Sequence, residues 1–289
     1  MTPLQSALLM GLGALGLNYF FKLLQYLSTK KTSIFTENDY IQDVFIFVTY
    51  VIAFFIIFSV IAGIDSKNNT ISQSYLFLYI LVIQTIMLSI PYAILPLFYL
   101  IKSKHRSKNE LIENWIFSKF KKKYKVYLIE ADITNAFATG ILPFSKIILI
   151  GRALIDKLSE EELKSIVTHE MGHLSKNHLL KAFVYQSFIA AVVSFLWTKI
   201  NPVIISSPYY FWFFVSYFGL VYGLSSLIIL GLVQKISEKE ADVYAAKLTS
   251  PKHMVSALNK LNQETKGAME KWSFNYPTLK ERIENINKL

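Results

Sequence analysis

Long apolar runs alternate with charged stretches along this chain, and the alternation predicts its main elements. A helix needs about 20 mainly apolar residues to cross the hydrocarbon core of a bilayer. Leu4–Leu27, Val44–Ile64, Tyr75–Ile101, Leu179–Ile200 and Tyr209–Val233 meet or approach that length. The first run is Gly-rich and carries Lys22, a side chain long enough to snorkel to an interface. Pro91 and Pro96 predict kinks in the third. The last two runs are joined by a short segment containing Asn201-Pro202 and Ser207-Pro208, and they read as a hairpin. Residues 1–101 are therefore expected to form an N-terminal membrane region and residues 179–233 a two-span insertion. The polar stretches 102–178 and 234–289 are expected to make a catalytic part.

Between the third and fourth runs the period changes. Val126–Ile129 and Lys146–Ile150 are rich in β-forming residues and are punctuated by Gly140, Pro143 and Gly151, which predicts a small sheet. Ser159 and Glu162 have the spacing of a capping box, and Leu163, Ile166, Val167, Glu170 and Leu174 recur at helical spacing. A helix is expected from Glu160 onward, running into the fourth apolar run. It is polar at both ends, through Glu160–Lys164 and Lys176-Asn177-His178, so it belongs at or just beyond the interface rather than at membrane depth.

Composition supports a membrane protein: the 289 residues are 53% hydrophobic and only 17% charged, with a mean hydropathy of +0.38. The formal charge of +10 is concentrated beside the apolar runs, above all in the lysine-rich segment 102–125. That placement is the signature of a cytoplasmic loop rather than of a nucleic-acid surface. It puts residues 102–178 and 234–289 on the cytoplasmic side, the Asn201–Pro208 loop outside, and the first run as a retained anchor without a cleavage site. No cysteine is present, which excludes disulfides and thiolate ligands and leaves histidine and carboxylates to hold any metal.

The chemistry centres on His169-Glu170-Met171-Gly172-His173. Two imidazoles four apart share a helix face and suit a Zn²⁺ ion, with Glu170 beside them. A third ligand must come from elsewhere. After the fifth run, Glu238 and Asp242 are again four apart, so one face can bring Glu238 to the metal and Asp242 behind a ligating imidazole. Glu240 is the alternative carboxylate, and a solvated helix end is the bland one.

HEMGH, a two-span hairpin and Glu238-Lys239-Glu240-Ala241-Asp242 together resemble the membrane zinc metallopeptidase family that includes the heat-shock protease HtpX and the type I CAAX prenyl endopeptidases. Asn135-Ala136-Phe137-Ala138-Thr139-Gly140 is similar to that family's segment leading into an edge strand. Tyr276-Pro277-Thr278-Leu279-Lys280-Glu281-Arg282-Ile283 is similar to its C-terminal element. The resemblance implies one zinc ion held by His169, His173 and Glu238, with Glu170 as the base and Arg282 as the first-ranked oxyanion donor. It also implies a polypeptide substrate lying extended along a sheet edge near Asn135, Ala136, Phe137, Ala138, Thr139 and Lys146–Ile150. The family usually has histidine where Tyr276 stands here.

The chain is thus expected to be mainly α and integral to a membrane, with about five transmembrane helices. A cytoplasmic α+β zincin-like catalytic domain with a small sheet completes it. The expected function is a zinc endopeptidase acting on membrane-associated or misfolded polypeptides, in a bacterial plasma membrane and with no nucleic-acid partner. The alternatives are a CAAX-type prenyl-protein processing peptidase and a non-catalytic scaffold or chaperone with a structural zinc site.

Overall fold

The computed structural model describes residues 106–129, 135–204, 207, 209, 213, 216, 217, 223–273 and 276–289. The expected spans Leu4–Leu27, Val44–Ile64 and Tyr75–Ile101 lie outside the described residues, as does much of the first half of Tyr209–Val233. Two compact units are present, Met1–Leu88 with Ser187–Ser225, and Ser89–Gln186 with Ser226–Leu289.

The second unit is mostly helical around a small mixed sheet. Its elements begin with β1 (Arg106–Lys108), α1 (Glu110–Phe120), β2 (Lys125–Ile129), β3 (Ala136–Thr139) and β4 (Ile147–Gly151). There follow α2 (Arg152–Lys157), α3 (Glu160–Ser175), the start of α4 (His178–Ile204) and most of α5 (Gly223–Leu248). α6 (Pro251–Glu264) and α7 (Leu279–Ile286) close the chain. The strands lie in the order β1-β2-β4-β3. β2 and β4 are parallel, while β1 and β3 pair antiparallel on either side.

The two strands expected from the sequence are β2 and β4, but β4 is not an edge. Its run Ile147-Ile148-Leu149-Ile150 is buried throughout, as a strand covered on both faces should be. The edge near the HEMGH helix is β3 alone, which is formed by the Asn135–Gly140 segment itself. Gly140 ends it with φ +103°, and a Cβ there would lie 2.1 Å from the Ser145 carbonyl oxygen, so only glycine fits this turn.

α3 starts as its sequence predicts. The Ser159 hydroxyl accepts from the Glu162 N–H, and the Glu162 carboxylate accepts from the Ser159 N–H at 2.8 Å. Glu162 also accepts from Ser256 and Lys260 of α6, both at 2.6 Å, so one carboxylate caps α3 and ties α6 to it. The apolar face of α3, with Ile166, Val167, Met171 and Leu174, packs in one core with Ala245 and Ala246 of α5 and Met254, Ala257 and Leu258 of α6. Each such large side chain contributes roughly 1.5–3 kcal/mol by burial.

α3 does not run on into α4. It stops at Ser175, Lys176 and Asn177 form a turn, and Asn177 adopts a left-handed conformation with φ +55°. Asparagine tolerates that region better than most residues. Lys146, beside the sheet, donates to the Leu174 carbonyl at 2.8 Å and to Asn177 Oδ1 at 2.6 Å, satisfying a carbonyl freed at the helix end.

α4 has mean hydropathy 1.8 over His178–Ile200 and, among the described residues, is the one helix long and apolar enough to cross a membrane. It leaves Val184, Phe188, Val192, Phe195 and Leu196 exposed. Within the first unit, Trp197 of α4 packs against Tyr217, whose hydroxyl donates to the Val193 carbonyl at 2.9 Å.

Candidate metal centre

Two helices carry the site. On α3, His169 and His173 are one turn apart, and their Nε2 atoms lie 3.1 Å from each other. From α5, Glu238 places Oε2 3.5 Å from His169 Nε2 and Oε1 3.6 Å from His173 Nε2. The helices can approach this closely because Gly172 faces Ala241: a Cβ on Gly172 would sit 3.1 Å from the Ala241 Cα.

The three donors fit a zinc ion. Ligands about 2.0–2.1 Å from a tetrahedral Zn²⁺ lie about 3.3 Å from one another, and the donor separations of 3.1, 3.5 and 3.6 Å bracket that edge. Among the described residues, His169, His173 and Glu238 are the group so arranged. Glu240, the alternative carboxylate, instead lies 3.0 Å from His178 Nε2.

The second nitrogen of each imidazole is also accounted for. Asp242 is fully buried, with Oδ1 2.9 Å from His169 Nδ1, an oblique approach that leaves this nitrogen no better partner. Arg282, from α7, donates to Asp242 through Nε at 2.7 Å and Nη2 at 2.6 Å, and its Nη2 lies 3.5 Å from Glu238 Oε2. The guanidinium expected from the motif as an oxyanion donor is thus placed on the two carboxylates behind and within the donor set. On the other side, His173 Nδ1 lies 3.0 Å from His178 Nδ1. A continuous helix would turn His178 away from the ligand face, and the break at Lys176-Asn177 brings it back.

These charges set one another. Burial opposes a charge on His169, but Asp242 and Glu238 outweigh it and raise its pKa to about 10. Burial and His169 push His173 down to about 3. Although burial would raise both carboxylates, His169 and Arg282 hold Glu238 well below its ordinary value, and Arg282 does the same for Asp242. Glu170 behaves differently. It is buried with no such cation bonded to it, and burial pushes it up to about 7 although His169 opposes the shift. The Ala138 N–H of β3 reaches it, which places the carboxylate between the donor set and the sheet edge.

Along that edge, Ala136 is buried, Phe137 and Ala138 are half-buried, and Asn135 is exposed at the strand's start with its Oδ1 accepting from the Ala136 N–H at 3.0 Å. Thr139 closes the strand opposite Ile147. Tyr276 is 44% exposed, yet its hydroxyl end is desolvated, and this effect with the charges of Glu238 and Glu170 pushes the phenol up to about 12. It therefore keeps its proton at neutral pH. Neither Tyr276 nor His178 has a periodic signal in the sequence that points to the metal.

Compared with known families, residues 102–289 match the model of Peptidase family M48. Protease HtpX of Haemophilus ducreyi is 24% identical over 184 residues, which cover 55% of this chain and 63% of that protein. Protease HtpX of Wigglesworthia glossinidia brevipalpis is 26% identical over 177 residues, covering 53% and 60%. The Protease HtpX homolog of Neisseria meningitidis serogroup C is 29% identical over 143 residues, covering 47% and 51%. The chain therefore spans less than two thirds of the length of these curated relatives. Among solved structures, the crystal structure of S. mikatae Ste24p shares the fold with a TM-score of 0.66 at 22% identity, over 99% of this chain and 76% of that one.

Proposed function

The chain belongs to peptidase family M48, and on that premise we propose that it is a membrane-embedded zinc endopeptidase. It cleaves membrane-associated or misfolded polypeptides at the cytoplasmic face of a bacterial plasma membrane. The observation that carries the reading is the placement of Glu170, a buried carboxylate beside three donors at tetrahedral spacing. A structural zinc site has no use for such a base, which argues against the scaffold alternative.

His169, His173 and Glu238 would hold a zinc ion, which when bound would supply Lewis acidity to acidify a water and polarise the peptide carbonyl. Glu170 takes the water's proton and returns it to the leaving amine, and a pKa near neutrality suits both transfers. Tyr276 presents a protonated phenol to the same space and serves as hydrogen-bond donor to the carbonyl oxygen as it gains charge. Arg282 and Asp242 orient His169 and hold Glu238 charged. The peptide lies extended along the edge strand β3, where main-chain pairing favours extended, unfolded segments over a particular sequence. The lysine-rich segment 102–125 supports the cytoplasmic side, and the apolar helix α4 supports the bilayer.

The relatives bearing the HtpX name favour this reading over CAAX-type processing. The test is Glu170→Gln in the full chain: one zinc per chain retained, and turnover of an unfolded membrane-protein reporter reduced about 10²–10⁴-fold. Undiminished turnover refutes the mechanism. A prenylated CAAX peptide run beside the reporter decides the substrate class, since cleavage of that peptide alone reverses the ranking.

A further inference from the structure

We propose that His178 and Glu240 form a positioning dyad that fixes the tautomer of His173, so that its Nε2 keeps the lone pair offered to the metal. This inference rests on the zinc reading above.

The argument is a count of hydrogens along three groups. Glu240 Oε2 lies 3.0 Å from His178 Nε2, and a carboxylate only accepts, so the hydrogen resides on Nε2. His178 Nδ1 then holds a lone pair. It faces His173 Nδ1 at 3.0 Å, a distance at which two ring nitrogens share one hydrogen, and that hydrogen must be carried by His173. His173 Nε2 is left bare, 3.1 Å from His169 Nε2 and 3.6 Å from Glu238 Oε1, where the metal is held. The opposite tautomer of His173 would place two lone pairs against each other at the first contact.

The dyad gives each imidazole ligand an acidic anchor. His169 has Asp242 directly, whereas His173 has Glu240 through an intervening ring. His178 is only 4% exposed, so water does not readily replace it. Lys181, one turn along α4, lies 3.8 Å from Glu240 Oε2 and holds that carboxylate in place. Groups behind a metal ligand typically change metal affinity 10–100-fold when removed.

The experiment uses the full chain in detergent micelles, with zinc dissociation constants measured by competition with a chromophoric chelator. The visible spectrum of the Co²⁺-substituted protein gives a second readout. His178→Phe keeps a ring but offers no acceptor, and it is expected to weaken zinc about 10–100-fold and shift the Co²⁺ bands, whereas His178→Asn, whose amide oxygen accepts from His173 Nδ1, recovers to within about fivefold of wild type. Glu240→Ala falls between them. Metal-free melting temperatures identify a variant that merely fails to fold, and for such a variant the Asn rescue decides. Wild-type affinity in His178→Phe, or an Asn variant no better than Phe, overturns the dyad. If wild type takes up zinc and Glu238→Ala loses it while His178→Phe does not, the dyad alone fails. A wild type that takes up no zinc sinks the metallopeptidase reading as well.

Discussion

Arg282 grips Asp242 with two nitrogens, Nε on Oδ2 at 2.7 Å and Nη2 on Oδ1 at 2.6 Å, from a helix 40 residues further along the chain. The pair is buried, so its members depend on one another. Arg282→Ala strands a fully buried carboxylate, and the expected loss is about 3–5 kcal/mol in unfolding free energy. Arg282→Lys keeps the charge without the fork, so it recovers part of the stability but still loses zinc affinity about tenfold as His169 loosens. Denaturant unfolding with zinc competition on both variants checks this. Equal zinc affinity in wild type and Arg282→Lys would show that the fork does not orient the ligand.

Helix spacing should be as decisive as charge. In Gly172→Ala the new methyl meets the Ala241 Cα at 3.1 Å and the Tyr244 ring at 3.3 Å, forcing α3 and α5 apart just one turn from Glu238. Overpacking of this kind costs about 1–3 kcal/mol, more than the roughly 1 kcal/mol that alanine gains over glycine in a helix. Zinc affinity falls about tenfold in consequence, since three donors at fixed spacing tolerate little spreading. Adding Ala241→Gly should recover part of it, and a double variant no better than the single one speaks against a steric cause.

Acid should unlock α6 from α3. Burial favours protonating Glu162, but hydrogen bonds from Lys260, Ser256 and Ser159 overcome it and hold the group at about 2 rather than 4.5. Because the folded value is the lower one, the stabilisation is complete above pH 4.5 and is lost as pH falls towards 2. Its size is of the order of 3 kcal/mol. Unfolding midpoints measured across that window should fall for wild type and stay flatter for Glu162→Gln; parallel curves would contradict the assignment.

Zinc uptake should release a proton. In the metal-free site Asp242 and Glu238 keep His169 protonated up to about pH 10, although burial opposes the charge. A metal ligand must be neutral, so binding at pH 7–9 expels about one proton per chain and tightens about tenfold per pH unit over that range. Calorimetry in two buffers of different ionisation enthalpy measures the release directly. An identical apparent enthalpy in both would mean that His169 is already neutral.

The parts of this site that were legible before the fold was known are those with local signals. Ser159 and Glu162 announced the start of α3 because a capping box is written within four residues. His169, His173 and Glu238 were legible through spacing and family pattern. The break after Ser175 was not, because its cause is distant: Lys146 reaches the Leu174 carbonyl from 28 residues away, and nothing in Ser175–His178 itself forbids a continuous helix. With the break hidden, a continuous helix turns His178, five positions beyond His173, off the ligand face. Arg282 carried a motif but no partner, since its contact with Asp242 is purely tertiary. β1 was hidden inside a lysine-rich segment without alternation, and it exists through pairing with β2.

The edge strand β3 is only four residues long and is closed by Gly140. Such a strand measures about 13 Å, and since alternate residues pair inward with β4, about half of its backbone groups face outward. At roughly 0.5–1.5 kcal/mol net per hydrogen bond, a guest peptide laid there is aligned rather than gripped. On the proposed reading the strand would act as a short ruler, setting the register of a bond against Glu170 and then letting the fragments go. The same brevity gives a neighbouring chain little to zip onto.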